Sequence, residues 1–153
     1  CTVHKKRNVL DHLPQSDRSR VSRRMSQAYD LTDVDMARSE LQNLAKELHA
    51  INPSAARSLE EGLEETLTVQ RLRLPELLRV SLRSTNVIES SNSGVRDRGH
   101  NVKRWQGGDH VERWTAAGLL ETEKSFRRIK GYRHLSVLLV ALENDRRKKQ
   151  SAA

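Results

Sequence analysis

The stretch DVDMARSELQNLAKELH, residues 33–49, decides the fold class. Its apolar side chains recur at alternating spacings of three and four, which places them on one face of an α-helix and the charged side chains elsewhere. The apolar set is Val34, Ala37, Leu41, Leu44 and Leu48. The pattern predicts an amphipathic helix over about 33–49, with Thr32 or Asp33 as its N-cap.

Helical signals continue along the chain after this stretch. Asn52-Pro53 is typical of an N-cap followed by the first residue of a helix, and it predicts a helix whose apolar residues are spaced by four. These are Ala55, Leu59, Leu63 and Leu67. Pro75 predicts the start of a short helix, and Ser84 or Thr85 predicts the cap of another that runs to about Arg98.

The last third of the chain also favours helices. Gly107-Gly108 and Asp109 predict a turn and a cap before a long helix that ends at Gly131 and is buried on two sides. Residues 133–149 predict a last helix with a basic end. Strand signals are nearly absent, and only CTV at residues 1–3 is compatible with the end of a strand. The sequence therefore predicts a mainly α fold.

Composition limits the size of the hydrophobic core and indicates the cellular compartment. The chain has 153 residues, 35% hydrophobic and 31% charged, which fits one domain with a modest core. Four of the five aromatic residues follow residue 100, so we expect the best-packed part there. One cysteine excludes an internal disulfide and fits a reducing compartment. Without a long apolar run or a signal peptide, we expect a soluble, cytoplasmic protein with no membrane contact.

Charge is unevenly distributed. Residues 1–75 carry 12 Lys and Arg against 11 Asp and Glu, net +1, whereas residues 76–153 carry 16 against 9, net +7. A half-molecule this basic suggests a polyanionic partner, most simply nucleic acid. The alternative is a surface charged for solubility.

One predicted helix gathers polar side chains that could perform chemistry. On a helix over 86–98, one side carries Asn86, Glu89, Asn92 or Ser93, and Arg96, while the other side carries valine and isoleucine. The Glu89 carboxylate could bind a metal cation, and Arg96 could bind a phosphate. The alternative is a solvated helix face without a catalytic role.

Two blocks of sequence resemble a known family. RSTNVIESSNSGVRDRGHNVKRW, residues 83–105, and ERWTAAGLLETEKSFRRIKGYRHL, residues 112–135, resemble the carboxy-terminal part of Mutator-type bacterial insertion-sequence transposases. Cys1-Thr-Val-His4 resembles the Cys-x-x-His segment that this family has before its catalytic Glu. The resemblance is strong over 1–13 and 82–135 and looser between them.

The resemblance implies a DDE enzyme with an RNase H-like catalytic domain. In such enzymes two Asp and one Glu bind two divalent ions, Mg²⁺ or Mn²⁺, and transfer DNA strands at insertion-sequence ends and into target DNA. The family motif STN-x-IES places the catalytic, metal-binding Glu at Glu89. It also implies three segments: 1–13, the end of a core strand and the following helix; 14–82, an α-helical insertion; and 83–153, the catalytic-Glu helix and basic helices.

The resemblance also bears on completeness and partners. The two catalytic Asp belong to segments upstream of Cys1, so we expect the isolated chain to be inactive. The complete enzyme is expected to be a homo-oligomer associated with the nucleoid. The alternative function is a helical fragment that binds DNA or associates with intact transposase protomers without catalysis.

Cations and one aromatic residue follow Glu89 closely. We expect DNA contacts from this group, which comprises Arg96, Arg98, Lys103, Arg104 and Trp105, beside the metal site. Trp105 could stack on a base or sugar, or it could instead cover the Gly-Gly turn that follows. A second basic group could hold flanking DNA or interact with helix carbonyls: Arg127, Arg128, Lys130 and Arg133.

Four residues are predicted to support the site without reacting: Cys1, His4, Asn86 and Asn92. Zinc binding by the first two is disfavoured, because a zinc site needs at least three protein ligands and the chain has no second cysteine. His12 could add a third ligand, but a structural role is favoured. A cluster of acids at Asp30, Asp33 and Asp35 is interpreted as capping a helix rather than binding metal.

Overall fold

The chain is mainly helical in the part that the structure describes. The computed structural model describes residues 1–151, which contain no β-strand, so the prediction of a mainly α chain is confirmed. The α-helices are α1 (Thr2–Asp11), α2 (Gln15–Asp30), α3 (Val34–Ile51), α4 (Pro53–Glu60), α5 (Leu63–Thr66), α6 (Thr68–Arg71), α7 (Glu76–Leu82), α8 (Asn86–Gly99), α9 (Gly108–Glu123) and α10 (Leu135–Ser151), with a 3-10 helix at Tyr132–His134.

The helices form two compact units. Cys1–Ser84 and the segment that begins at Lys130 form the first unit, with α1 to α7 and α10. Thr85–Ile129 forms the second unit, with α8 and α9. Within residues 1–151, no helix has both the length and the apolar character needed to cross a membrane.

The hydrophobic core lies in the first unit and consists mainly of aliphatic side chains. The apolar face predicted for residues 33–49 supplies its centre, because Ala37, Leu41 and Leu48 are completely buried. α4 packs along α3, and α1 and α2 close the other sides. The remaining core residues are Val9, Leu13, Val21, Met25, Ala28, Tyr29, Leu44, Ala45, Ala56, Leu59, Leu63 and Leu67, with Ala55.

The prediction that the last third of the chain is the best-packed part is wrong. In the second unit Trp105, Trp114 and Phe126 remain 45%, 41% and 52% exposed. Tyr29, which lies outside that third, is buried in the core. Aromatic content misled the prediction because a pair of helices has no further layer with which to enclose large rings.

The two predicted caps of α3 and α4 are confirmed. The Asp33 carboxylate accepts hydrogen bonds from two backbone N–H groups in the first turn of α3, each at 2.9 Å. Asn52 does the same for α4, at 2.9 and 3.3 Å, and its amide also donates to the carbonyl of His12 at 2.7 Å. Asn52 therefore fixes the start of α4 and connects it to the end of α1.

The helix predicted after Asn52 is interrupted. α4 ends at Glu60, and Gly62 adopts a left-handed conformation with φ 63° before α5 and α6 continue as short helices. Glycine favours this conformation because it has no Cβ. Leu63 and Leu67 nevertheless remain buried as the spacing predicted.

The expected strand end at residues 1–3 is wrong, because α1 begins at Thr2. A strand needs a neighbouring strand for its hydrogen bonds, and residues 1–151 provide none. The first turn of α1 is instead anchored to the end of α7. The backbone N–H and the hydroxyl of Thr2 both donate to the carbonyl of Arg83, at 3.2 and 3.0 Å.

The chain returns to the first unit through Gly131. This glycine has φ 77°, and a Cβ there would lie 2.5 Å from the backbone nitrogen of Leu78, so the site admits only glycine. The hydroxyl of Ser81 donates to the carbonyl of Lys130 at 3.0 Å. Farther along, Arg71 pairs with Asp145 of α10 at 3.2 Å.

Two predictions about α9 are wrong. The helix ends at Glu123, well before Gly131, because Ser125 turns back and donates to the carbonyl of Thr122 through both its hydroxyl and its backbone N–H. α9 is also not buried on two sides. Its buried residues are Gly118 and Thr122, whereas Leu120 on the opposite face is 66% exposed.

Candidate functional site

The predicted chemistry lies on the exposed side of α8. The helix spans Asn86–Gly99, close to its predicted bounds. Asn86, Glu89, Asn92 and Arg96 are all exposed on it. The structure therefore places on one accessible helix the four side chains that the sequence grouped together, and it leaves their chemical roles as predictions.

Glu89 lies in the first turn of α8 and is held there by Thr85. The Thr85 hydroxyl donates to the Glu89 carboxylate, and the backbone N–H of Glu89 donates to the carbonyl of Thr85 at 2.9 Å. Thr85 is the N-cap residue of α8, which was one of the two predicted alternatives. Its hydroxyl, however, accepts no hydrogen bond from a backbone N–H of the helix. A carboxylate at this end of a helix is favoured by the positive end of the helix dipole. The side chain is thus exposed and also oriented.

Two glycines determine how closely α8 approaches α9. A Cβ on Gly94 would lie 2.3 Å from Oγ1 and 2.4 Å from Cγ2 of Thr122, and a Cβ on Gly118 would lie 3.3 Å from Cα of Val95. Neither residue was identified from the sequence. The available signal was that both interrupt helical patterns, where a glycine that lowers helix stability usually has a packing reason.

Arg98, predicted to bind DNA, contacts this helix pair. One nitrogen of its guanidinium donates to the carbonyl of Gly94 at 3.0 Å and to the hydroxyl of Thr122 at 3.1 Å. The Lys124 ammonium, which hydrogen-bonds Glu121, holds the pKa of that carboxyl below its ordinary value, and Arg98 adds to this effect. The structure therefore gives Arg98 a role in joining α8 to α9, while a DNA contact stays a prediction.

Trp105 belongs to an aromatic cluster rather than to the Gly-Gly turn. Among residues 1–151, nothing beyond the chain neighbours lies within 4 Å of a Cβ built on Gly107 or Gly108, which does not support the alternative that Trp105 covers this turn. Its ring instead lies near Gly99, at 3.8 Å from a Cβ built there, and 5.6 Å from the ring of His110. The exposed Lys103 and Arg104 immediately precede it.

The cluster is separated from Glu89 by most of the length of α8. Gly99 follows Glu89 by ten residue steps, which at 1.5 Å per residue corresponds to about 15 Å along the helix axis. The sequence had placed Trp105 beside the metal site because only sixteen residues separate it from Glu89. A continuous helix keeps such residues apart, so this expectation is corrected.

Residues 1–128 match the model of the family described as "Transposase, Mutator family". The chain belongs to the Mutator family of transposases. It is 31% identical over 126 residues to the transposase for insertion sequence element ISRM5 of Rhizobium meliloti (strain 1021), over 82% of this chain and 31% of that protein. The chain thus spans about a third of the length of the curated relative. No solved structure matches it.

Membership of the family confirms the resemblance on which the assignment of Glu89 rests. The matched range includes the whole of α8 and α9 and ends before α10. Within this transposase chain, the second unit carries eight Lys and Arg against six Asp and Glu, net +2, whereas residues 130–153 carry six against two, net +4. Most of the basic excess of residues 76–153 therefore belongs to segments outside the second unit.

The residues predicted to support the site lie in both units. Cys1 is exposed and precedes α1, and His4 is half-buried on α1 in the first unit. Asn86 and Asn92 lie on α8 in the second unit. Nothing in either unit by itself tests their supporting role, which stays a prediction.

The described residues do not form a metal site on their own. Between residues 1 and 151, no group of three or more His, Cys, Asp or Glu side chains is placed to hold a metal ion. The acids at 30–35 have other partners. Asp33 caps α3 as interpreted from the sequence, Asp30 pairs with Arg83, and Asp35 pairs with Arg38.

Proposed function

We propose that this chain is the carboxy-terminal part of a DDE transposase, which cuts and joins DNA at insertion-sequence ends, and that Glu89 is its catalytic carboxylate. The observation that carries the proposal is the exposed, oriented Glu89 on a helix inside the matched family segment. Asn86 and Asn92 would support this carboxylate, and Arg96, two turns along the helix, would bind a DNA phosphate.

The metal chemistry of such an enzyme requires more than this chain displays. Two Mg²⁺ or Mn²⁺ ions need several oxygen ligands each, and Glu89 offers one carboxylate in a part of the chain without a metal-binding group. The described residues therefore do not fit two metal ions by themselves. We infer that two further carboxylates complete the site in an RNase H-like domain, and that the 153-residue chain alone does not cleave DNA.

The test is strand cleavage by a complete transposase that contains this segment. Glu89→Gln keeps the size of the side chain but removes its charge, so we expect cleavage to be lost while binding to the insertion-sequence end is unchanged. Glu112→Gln is the matched control, because Glu112 is an exposed carboxylate of α9 in the same unit. Cleavage by the Glu89 variant at the rate of the control would refute the assignment.

The second candidate is non-catalytic binding of DNA by the chain itself. The net charge of +7 over residues 76–153 favours it. Binding through phosphates releases counterions, so the affinity should fall steeply as salt is raised, and Glu89→Gln should not change that slope. Affinity that is absent or independent of salt would exclude this candidate.

A further inference from the structure

Two tryptophans and a histidine form a cluster at the end of the hairpin that α8 and α9 make. The ring centroids of Trp105 and His110 are 5.6 Å apart, and those of His110 and Trp114 are 6.4 Å apart. The chain has only these two tryptophans, and each is more than two-fifths exposed. The cluster thus combines close aromatic contacts with large solvent-accessible ring surfaces.

The internal contacts orient the indoles, and each ring keeps solvent-accessible surface. The planes of the imidazole and the two indoles are inclined by 57° and 73°, so His110 meets both tryptophans at an angle instead of stacking on them. The indole N–H of Trp114 lies 2.9 Å from Nε2 of His110 and donates to it in the tautomer whose Nε2 carries no proton. What Trp114 presents to solvent is therefore aromatic surface.

His110 can accept only one hydrogen bond at a time. The backbone N–H of Gln106 points at its Nδ1 at 3.2 Å, while Trp114 points at its Nε2. A neutral imidazole has a single acceptor nitrogen. One tautomer therefore accepts a hydrogen bond from Gln106 in the loop, and the other accepts one from Trp114 of α9.

Cations outnumber acids next to the cluster residues in the sequence, where the acids are the exposed Asp109 and Glu112. Lys103 and Arg104 directly precede Trp105, Arg113 directly precedes Trp114, and all three are exposed. Aromatic faces beside cations are the combination with which proteins bind single-stranded nucleic acid, because bases stack on the rings while the cations meet the phosphates. An apolar protein partner would use the rings but would have to desolvate the cations.

We propose that Trp105 and Trp114 form a stacking site for unpaired nucleobases, with Lys103, Arg104 and Arg113 on the adjoining phosphates. The proposal rests on the DNA substrate of the proposed function, but it concerns a different place. The site lies about 15 Å along α8 from Glu89, so it holds bases away from the position where strands are cut.

The test uses the 153-residue chain and its own fluorescence, because both tryptophans lie in the cluster. The probes are a twelve-nucleotide oligothymidine, a duplex of the same length, and an abasic strand with the same number of phosphates. We expect saturable quenching by oligothymidine and little or none by the duplex or the abasic strand. Quenching by the abasic strand equal to that by oligothymidine overturns the proposal, because it shows binding through charge alone.

Variants measured with a dye-labelled oligothymidine separate the roles of the rings. Since stacking on an aromatic ring commonly contributes a factor of about five or more per base, Trp105→Ala and Trp114→Ala should each weaken binding at least about fivefold. Phe126→Ala removes a ring of the same unit that lies outside the cluster and is somewhat more exposed than either tryptophan, and it should bind as the wild type does. Circular dichroism checks the fold, and Trp105→Tyr, which retains a ring, should recover most of the affinity.

The remaining outcomes also decide the matter. Unchanged affinity in both alanine variants, or absence of binding by the wild type, overturns the stacking site without touching the role of Glu89. Weakened binding in both variants supports it, even if Glu89→Gln still cuts DNA and the proposed catalytic role fails. If the complete transposase shows no quenching where the chain does, the indoles are covered by the rest of the polypeptide and the proposal falls.

Discussion

Replacing Gly94 by alanine tests whether close approach of α8 to α9 fixes the second unit. The new Cβ would lie 2.3 Å from Oγ1 of Thr122, 2.4 Å from its Cγ2 and 2.9 Å from its Cβ. Ordinary contacts between such atoms are at 3.4 Å or more. The helices must therefore separate by about 1 Å or Thr122 must be displaced, and either movement disturbs the hydrogen bond from Arg98 to Thr122.

The expected loss of stability is the difference between two effects. Overpacking of this kind costs about 1–3 kcal/mol. Alanine in place of glycine within a helix raises the free energy of unfolding by about 0.5–1 kcal/mol, because it restricts the unfolded chain and favours the helix. We therefore expect Gly94→Ala to lower the free energy of unfolding of the second unit by about 1–2 kcal/mol. For a denaturant slope of about 1 kcal/mol per molar urea, the midpoint should fall by about 1–2 M.

Urea unfolding followed by tryptophan fluorescence is the appropriate assay, because both tryptophans lie in the second unit. Gly99→Ala is the matched control. Its Cβ would meet the Trp105 ring at 3.8 Å, an ordinary contact, so only the gain in helix stability should remain. Adding Thr122→Ala to Gly94→Ala removes the two nearest atoms and should recover part of the loss, which a double-mutant cycle measures.

A result in the opposite direction would refute the reasoning. If Gly94→Ala raises the midpoint as Gly99→Ala does, the added methyl group meets no obstacle and α8 does not pack on α9 through Gly94. Equal losses in Gly94→Ala with and without Thr122→Ala would point instead to a clash with another residue.

Further predictions concern the first unit. Asn52→Ala should lower the unfolding free energy by about 1–2 kcal/mol, measured by circular dichroism in urea, because it removes the cap of α4 and the bond to His12; Asn52→Asp should retain the cap and recover much of the loss. Arg38 hydrogen-bonds Glu64 and lowers the pKa of that carboxyl. The pair therefore stabilises the folded state at pH values above the ordinary carboxyl pKa of 4.5, and this stabilisation is lost as the pH falls below that value. Because the pair is exposed, the effect should be small, and Arg38→Gln should reduce the fall in thermal midpoint on acidification. Arg73 has φ 50°, so Arg73→Val should destabilise by about 1–2 kcal/mol and Arg73→Gly should not.

Local signals predicted the helices of the first unit well. The period of residues 33–49 and the caps Asp33 and Asn52 act within a few residues, so the sequence contains all that is needed to recognise them. The end of α9 was predicted poorly because Ser125 terminates it through its own hydrogen bonds, and a serine carries no strong termination signal. The break at Gly62 was missed because the apolar spacing continues through it.

The candidate site was predictable in part for the same reason. A spacing of three and four residues placed Glu89 and Arg96 on one helix, and the family motif selected Glu89 among the acids. Contacts between α8 and α9 could not be predicted, because the close fit of Gly94 to Thr122 depends on tertiary packing. The pairing of Trp105 with Trp114 through His110 likewise depends on how the loop between the helices folds.

In the proposed function, the geometry of the second unit would affect catalysis through the position of Glu89. A carboxylate is useful at a reacting phosphate only when it is held in place, and in that proposed role Glu89 would be positioned by Thr85 and by the packing of α8. That packing depends on two glycines rather than on a large apolar core, so small changes at the helix contact should move Glu89 without altering its chemistry. A cleavage defect in Gly94→Ala that Thr122→Ala partly restores would therefore reflect displacement of α8, and not the loss of a reacting group.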